Sequence, residues 1–167
     1  MNEALTIELA TADDVPAMMR IEADPSYAGL VFHWPKERHL EEMALASSRY
    51  FVLRDSGGEV LGFALVQGLS GPDRKAHLKR IAVREAGAGF GSILLGGVLD
   101  QLYRDTDVNR IDLDVFVGND RARRAYEKAG FKLEGVMRDF HRNADGSFSS
   151  MWLMSMLRRD WELRHRL

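Results

Sequence analysis

Three glycines, Gly87, Gly89 and Gly91, fall at alternate positions just before an apolar helical pattern and just after an apolar strand pattern. Glycine lets the main chain turn sharply and lets a ligand approach it closely. A helix start adds unpaired N–H groups and the positive end of a dipole, which together bind phosphate. Two glycines would suffice for a bare turn, so three at a strand-helix junction point to a phosphate cradle. A Walker loop would end in Gly-Lys-Ser/Thr, which is absent here. The dinucleotide fingerprint has Gly-x-Gly-x-x-Gly after the first strand of its domain, whereas here the spacing is Gly-x-Gly-x-Gly and three strand patterns come earlier. Residues 115–131 form a second candidate. Asn119 sits between a strand pattern and a helix pattern, and Ala122, Ala125, Tyr126 and Ala129 share one helical face. Read alone, Asn119 is an N-cap and Tyr126 a core aromatic.

The elements that must position these residues follow from periodicity. Residues 5–9 alternate as a half-buried strand does. Thr11, followed by two acids, marks a helix start for 11–23, and Pro35 suits the first turn of a helix over 36–48. Strands are predicted over 50–54, 59–67 and 76–83, the first two joined by the turn at 55–58. In 92–104, Leu94, Val98 and Leu102 recur at helical spacing, as do Leu95, Leu99 and Tyr103. In 110–117, Ile111, Leu113, Val115 and Val117 share one face and Asp112 and Asp114 the other. A helix over 120–129 ends at Gly130, and strands over 131–142 and 148–157 close the pattern. The order β-α-α-β-β-β-α-β-α-β-β, with hairpins in the middle and at the end, predicts an α/β domain over 1–167. Its sheet should be mixed, with helices on both faces. In 76–83, simple alternation puts His77 and Lys79 on one side and Arg80 on the other. The last strand is apolar on both faces (Met151 and Leu153 on one; Trp152, Met154 and Met156 on the other). That fits burial by a helix or by a second copy of the chain.

Composition narrows the function classes. The 167 residues, 46% hydrophobic and 29% charged, are those of an ordinary globular domain. There is no cysteine, which removes disulfides, thiolate zinc sites and a cysteine nucleophile, and fits a reducing compartment. A net charge of −2 gives no basic excess for nucleic acid or an anionic membrane. The first residues lack a signal-peptide pattern, and no apolar run approaches the ~20 residues of a membrane span. A cytoplasmic protein is expected. His33, His39, His77, His141 and His165 show no metal-ligand spacing, so no metal is expected.

Taken together, the glycine turn and residues 119–131, with Asn119 followed by Ala-Tyr-Glu-Lys-Ala-Gly-Phe at 125–131, resemble the GNAT superfamily of acyl-CoA N-acyltransferases. The element order matches along nearly the whole chain. The resemblance implies an acetyltransferase that uses acetyl-CoA. It places the pantetheine arm against main-chain groups of Ile81, Ala82 and Val83, in a gap between strands. The pyrophosphate would rest on the turn formed by Gly87, Ala88, Gly89, Phe90, Gly91 and Ser92. Asn119 would contact the CoA arm, and Tyr126 would protonate the departing thiolate. The family usually carries Arg or Gln where this chain has Ala86, so one side-chain contact to the phosphates is lost. Arg84, Arg121 and Arg123 are the nearby candidates to replace it.

Direct attack by an amine is expected, since there is no cysteine to form an acyl-enzyme. Main-chain N–H near Ile81 or Ala82 would polarise the thioester carbonyl. His77 is the expected base, with Glu22, Asp112, Asp114 and His141 as alternatives. A peptide α-amine, titrating near 7.7–8.0, is already about a quarter unprotonated at pH 7.4, whereas a lysine side chain is only about 0.1% so. This favours a small amine or a protein N-terminus as acceptor. Tyr27, Phe32, His33 and Trp34, with Phe140 and His141, are the expected acceptor pocket. The competing reading is a CoA-binding module without catalysis, used for sensing or assembly.

Overall fold

A computed structural model describes residues 4–27, 29 and 33–166. The elements run β1 (Thr6–Leu9), α1 (Val15–Glu22), α2 (Lys36–Met43), β2 (Arg49–Arg54), β3 (Val60–Gln67), β4 (Lys75–Val83), α3 (Phe90–Asp105), β5 (Arg110–Phe116), α4 (Asp120–Ala129), β6 (Lys132–Arg142), β7 (Phe148–Leu157) and α5 (Arg158–His165). Among the described residues the strands form one sheet in the order β1-β2-β3-β4-β5-β7-β6. Among the described residues only the β4–β5 pair is parallel. The mixed sheet is as expected, and so is its two-sided cover. Phe51 and Leu53 of β2 join a core with Leu94, Val98 and Leu102 of α3. Tyr50 and Val52 join a second core with Val15, Met18 and Ile21 of α1. Each such side chain, fully buried, contributes about 1.5–3 kcal/mol. No helix among the described residues is long and apolar enough to cross a membrane.

Four details depart from the periodic reading. Thr11 precedes a 3-10 turn (Ala12–Asp14), and α1 begins only at Val15. Helix α2 stops at Met43 rather than 48. The turn that follows lets Ser48 donate to the buried Glu42 carboxylate at 2.5 Å, with Gln67 donating to the same oxygen at 2.7 Å. Helix α5 had no sequence expectation. The Asp160 carboxylate accepts the Leu157 N–H at its start, and Trp161 stacks on Tyr103 at 5.5 Å. In β4 the pairing with β3 shifts, Leu65 facing Arg80 and Val66 facing Leu78, so Lys79 is an extra residue. A bulge of this kind bends a strand and resets which side each residue faces. Ala76 and Leu78 face the first core, whereas Ala82 faces the second. Arg80 shares the face of Ala82, not the face that simple alternation assigns it.

The sheet opens beside the same bulge. β4 and β5 pair at Lys75–Arg110, Ala76–Ile111 and His77–Asp112, and no further. Beyond His77 the outer edge of β4 has no partner strand among the described residues. The apolar residues of β7 are buried within one copy of the chain, because β7 lies between β5 and β6 and Trp152, Met154 and Met156 enter the first core. Their burial therefore does not by itself require a second copy.

Candidate active site

The gap between β4 and β5 leads into a groove of about 730 Å³ between α3 and α4. At its head lies the glycine turn. Gly87 and Gly89 both have φ near +88°, a conformation that costs other residues about 1–2 kcal/mol. Gly89 is the residue before α3, with no side chain capping the helix. The first N–H groups of α3 are therefore left for a ligand. A Cβ placed on Gly89 or Gly91 would meet nothing within 4 Å, so the turn faces open space. Gly87, Gly89, Gly91 and Ser92 line the groove. Ala88 does not: its N–H closes the turn onto Glu85 at 3.3 Å. Nor does Phe90, which packs against the first core.

The three arginines near the turn separate cleanly. Arg84 pairs with Glu59. Arg123 pairs with Glu127 at 2.9 Å and lies on the Trp152 ring at 4.6 Å. Arg121 makes no ion pair among the described residues, lines the groove, and brings Nη2 to 3.6 Å from where a Cβ on Gly87 would stand. Of the three arginines it is the one that lines the groove.

The edge of β4 is differently arranged from what the resemblance implies. The Arg84 N–H donates to Leu61 of β3 at 2.8 Å, so by alternation the main-chain groups of Ile81 and Val83 point away from β3, into the gap. Those of Ala82 point to β3, and its side chain is buried in the second core. Tyr27 occupies Val83. Its hydroxyl donates to the Val83 carbonyl at 2.8 Å and accepts the Val83 N–H at 2.7 Å. Tyr27, expected in the acceptor pocket, therefore stands where the pantetheine arm was expected.

Asn119 and Tyr126 lie where two cavities meet. Asn119 caps α4, its Oδ1 accepting the Ala122 N–H at 3.3 Å, and the helix ends at Gly130 with φ +111°. Tyr126 packs edge-on to Phe131 at 5.8 Å, and its hydroxyl makes no hydrogen bond among the described residues. Burial, reinforced by the negative charge of Asp114 and by Tyr27, pushes its pKa well above the ordinary tyrosine value, so it holds its proton. Tyr27, Ile81, Asn119, Ala122 and Tyr126 line both the groove and a second cavity of about 250 Å³.

The second cavity is completed by Lys79, Arg80, Asp114, Phe116, Phe140 and His141. The edge-on contact of His141 with Phe116, at 5.5 Å, joins β6 to β5. A bulge in β6, with Asp139 at φ +50°, sets Phe140 and His141 in place. Arg80 is held from behind: its Nη1 lies 2.9 Å from the buried Glu22 carboxylate and its guanidinium 4.1 Å over the Trp34 ring. Glu22 also meets His39 at 3.2 Å, so it is a structural anchor rather than a base. Trp34 supports Arg80 and does not line the cavity. His33 is exposed and lies outside it as well, and Phe32 lies outside the described residues.

His77 lines neither cavity. Its Nδ1 is 2.6 Å from Asp112 and its Nε2 is 3.5 Å from Asp114, on the face of the sheet below the gap. Both ring nitrogens are engaged by carboxylates, which does not suit the expected base. Asp112 is engaged too: burial raises its pKa, but His77 and Arg110 outweigh that and hold it below the usual carboxylate range. Asp114 is the acid that reaches the second cavity.

Sequence reasoning missed the far wall of the groove. Trp161, Arg164 and His165 of α5 line it with Asp100 and Lys128. Trp161 Nε1 donates to Asp100 at 2.8 Å, and Arg164 donates to the Lys128 carbonyl at 3.0 Å. The available signal was Asp160 three residues after Leu157, a spacing suited to a helix start.

Residues 15–131 match the acetyltransferase (GNAT) family, and the chain belongs to that family. A stretch of 53 residues is 38% identical to the kanamycin resistance protein of Rhizobium radiobacter, covering 32% of this chain and 49% of that one. A 53-residue match at 38% identity is also found to aminoglycoside N(6')-acetyltransferase type 1 of Klebsiella pneumoniae, covering 32% of this chain and 26% of that one. The chain thus spans about half the length of the first relative and about a quarter of the second. The fold is that of the spermidine N-acetyltransferase from Vibrio cholerae solved with CoA and spermine, with a TM-score of 0.82 at 21% identity over 95% of this chain and 98% of that one.

Proposed function

We propose that this chain is an N-acetyltransferase that moves the acetyl group of acetyl-CoA to a primary amine of a small molecule or a protein N-terminus. The observation that carries this reading is the place of Tyr126: a proton-bearing hydroxyl where a glycine-headed groove meets a second, smaller cavity. Family membership supports it, as do relatives whose names cite amine acceptors.

The groove fits the cofactor, because the turn opens onto free space at Gly89 and Gly91 and leaves the first N–H groups of α3 uncapped. Acetyl-CoA supplies the acyl group, activated as a thioester. The N–H groups at the start of α3, with Arg121, hold the pyrophosphate. The outward-facing N–H of Ile81 polarises the thioester carbonyl. The acceptor nitrogen enters from the second cavity beside Asp114 and forms the C–N bond as the C–S bond breaks. Asp114 takes the proton the amine loses, and Tyr126 donates one to the departing sulfur. His77 lies behind Asp114 and positions it. The arm of CoA gains the main-chain groups of Val83 only by displacing the Tyr27 hydroxyl from them.

The test is to incubate the protein with acetyl-CoA and a panel of amines, and to follow free thiol. Acetyl-CoA should raise the melting temperature, and at least one amine should accelerate thiol release. Binding with no acceleration by any amine would instead support a CoA-binding module without catalysis.

A further inference from the structure

The second cavity holds one acid and one lysine that do not neutralise each other. Among the described residues Asp114 is the only acid that lines it, and its ion-pair contact is the 3.5 Å approach to His77, outside the cavity. Lys79 is the extra residue of the β4 bulge, exposed, and makes no ion pair among the described residues. The other cation of the lining, Arg80, is already met by buried Glu22 at 2.9 Å. Apart from Asn119, which caps α4, and His141, which packs edge-on to Phe116, the rest of the described lining is aromatic or apolar, with Phe116, Phe140, Met151 and Val115 among it. A polycation would find a single carboxylate here and be repelled by Lys79. A molecule bearing both an amine and an anion would satisfy both groups. The volume, about 250 Å³, suits a small molecule.

We infer that the acceptor is a small amine that also carries a carboxylate, an amino acid or dipeptide, with its nitrogen at Asp114 and its carboxylate at Lys79. This rests on the N-acetyltransferase reading. The bulge beside the CoA gap is then what turns Lys79 toward the acceptor.

Thiol release at saturating acetyl-CoA, with alanine, alanyl-alanine, their C-terminal amides and spermidine as acceptors, tests it. The amides have the more weakly basic nitrogens and would win if only free amine mattered. The expected result is a kcat/KM at least tenfold higher for the free acids than for the matched amides and for spermidine. Lys79→Met should close that gap by raising KM for the acids about tenfold, Lys79→Arg should restore it, and Lys79→Glu should shift preference toward spermidine. Equal use of acids and amides would overturn the inference, as would better use of the amides or spermidine, or a KM rise in Lys79→Met that is the same for acid and amide. If acetyl-CoA binds and none of these acceptors is used while another amine releases thiol, this inference falls and the acetyltransferase reading stands; if no amine of any class is used, both fall.

Discussion

The glycine-headed groove and the second cavity share a wall at Asn119 and Tyr126 but are built by opposite means. The head of the groove is main chain: Gly87, Gly89, Gly91 and Ser92 at one strand-helix junction, the first two with positive φ, and the outward edge of β4. The cavity is side chain: Lys79 and Arg80 from β4, Asp114 and Phe116 from β5, Phe140 and His141 from β6. A site made of backbone tolerates the loss of a side chain such as the one absent at Ala86. A site made of side chains changes its ligand with each substitution. One fold can thus keep its cofactor and vary its acceptor.

The largest effect is expected at the shared wall. Tyr126→Phe should lower kcat about 100-fold or more, the size of a lost general acid, with little change in the Kd for acetyl-CoA. An unchanged kcat would remove Tyr126 from its role. Because burial raises its pKa, the hydroxyl stays protonated, and its deprotonation should produce no alkaline loss of kcat up to about pH 10, the ordinary tyrosine value. Arg121→Ala should weaken acetyl-CoA binding by roughly tenfold, the worth of one charge-assisted hydrogen bond. Complete loss of binding would mean that the groove depends on side chains after all. Tyr27→Phe should act in the opposite direction. It frees Val83, so calorimetry should show acetyl-CoA binding tighter by about fivefold, since a net hydrogen bond is worth about 1 kcal/mol.

The smallest effect concerns the charged face beneath the gap. Arg110 bonds Glu134 at 2.5 and 3.0 Å and Asp112 at 3.2 Å. The bond to Arg110 lowers the Glu134 pKa, and His77 with Arg110 lowers that of Asp112 against the effect of burial. Carboxylates depressed in the fold contribute stability above their unfolded pKa, near 4, and lose it as pH falls through the folded values. Arg110→Met should therefore cost about 1 kcal/mol, roughly 2–4 °C in Tm, at pH 7. The deficit should shrink below about pH 3. A deficit independent of pH would show that Arg110 acts by packing alone.

Much of the fold was legible because its pattern is local. The alternation of β5, the two apolar rows of α3 and the Asn119–Gly130 bounds of α4 each lie within one element. The glycine turn was legible for the same reason. Helix α5 was not, because its sequence is charge-rich and its anchor, Trp161, is stabilised by Tyr103 and Asp100, some sixty residues away. The bulge at Lys79 left no mark on an otherwise regular strand, yet it moved Arg80 to the other face, beside the point where β4 and β5 part. Trp34 and His77 have residue types suited to a site. Their places are set by partners on other elements: Arg80 takes the Trp34 ring, and Asp112 with Asp114 take His77. Tyr27 gave no hint that its hydroxyl would take the main-chain groups of Val83.

Direct transfer across the Tyr126 junction leaves no acetyl group on the chain at any stage. Rapid mixing of the protein with excess acetyl-CoA, with and without an accepting amine, tests this when thiol release and the intact mass of the protein are followed together. The expected result is thiol release only when amine is present, in step with formation of the acetylated amine, and a protein mass that never changes. A burst of thiol without amine, matched by an acetyl adduct on the chain, would contradict it.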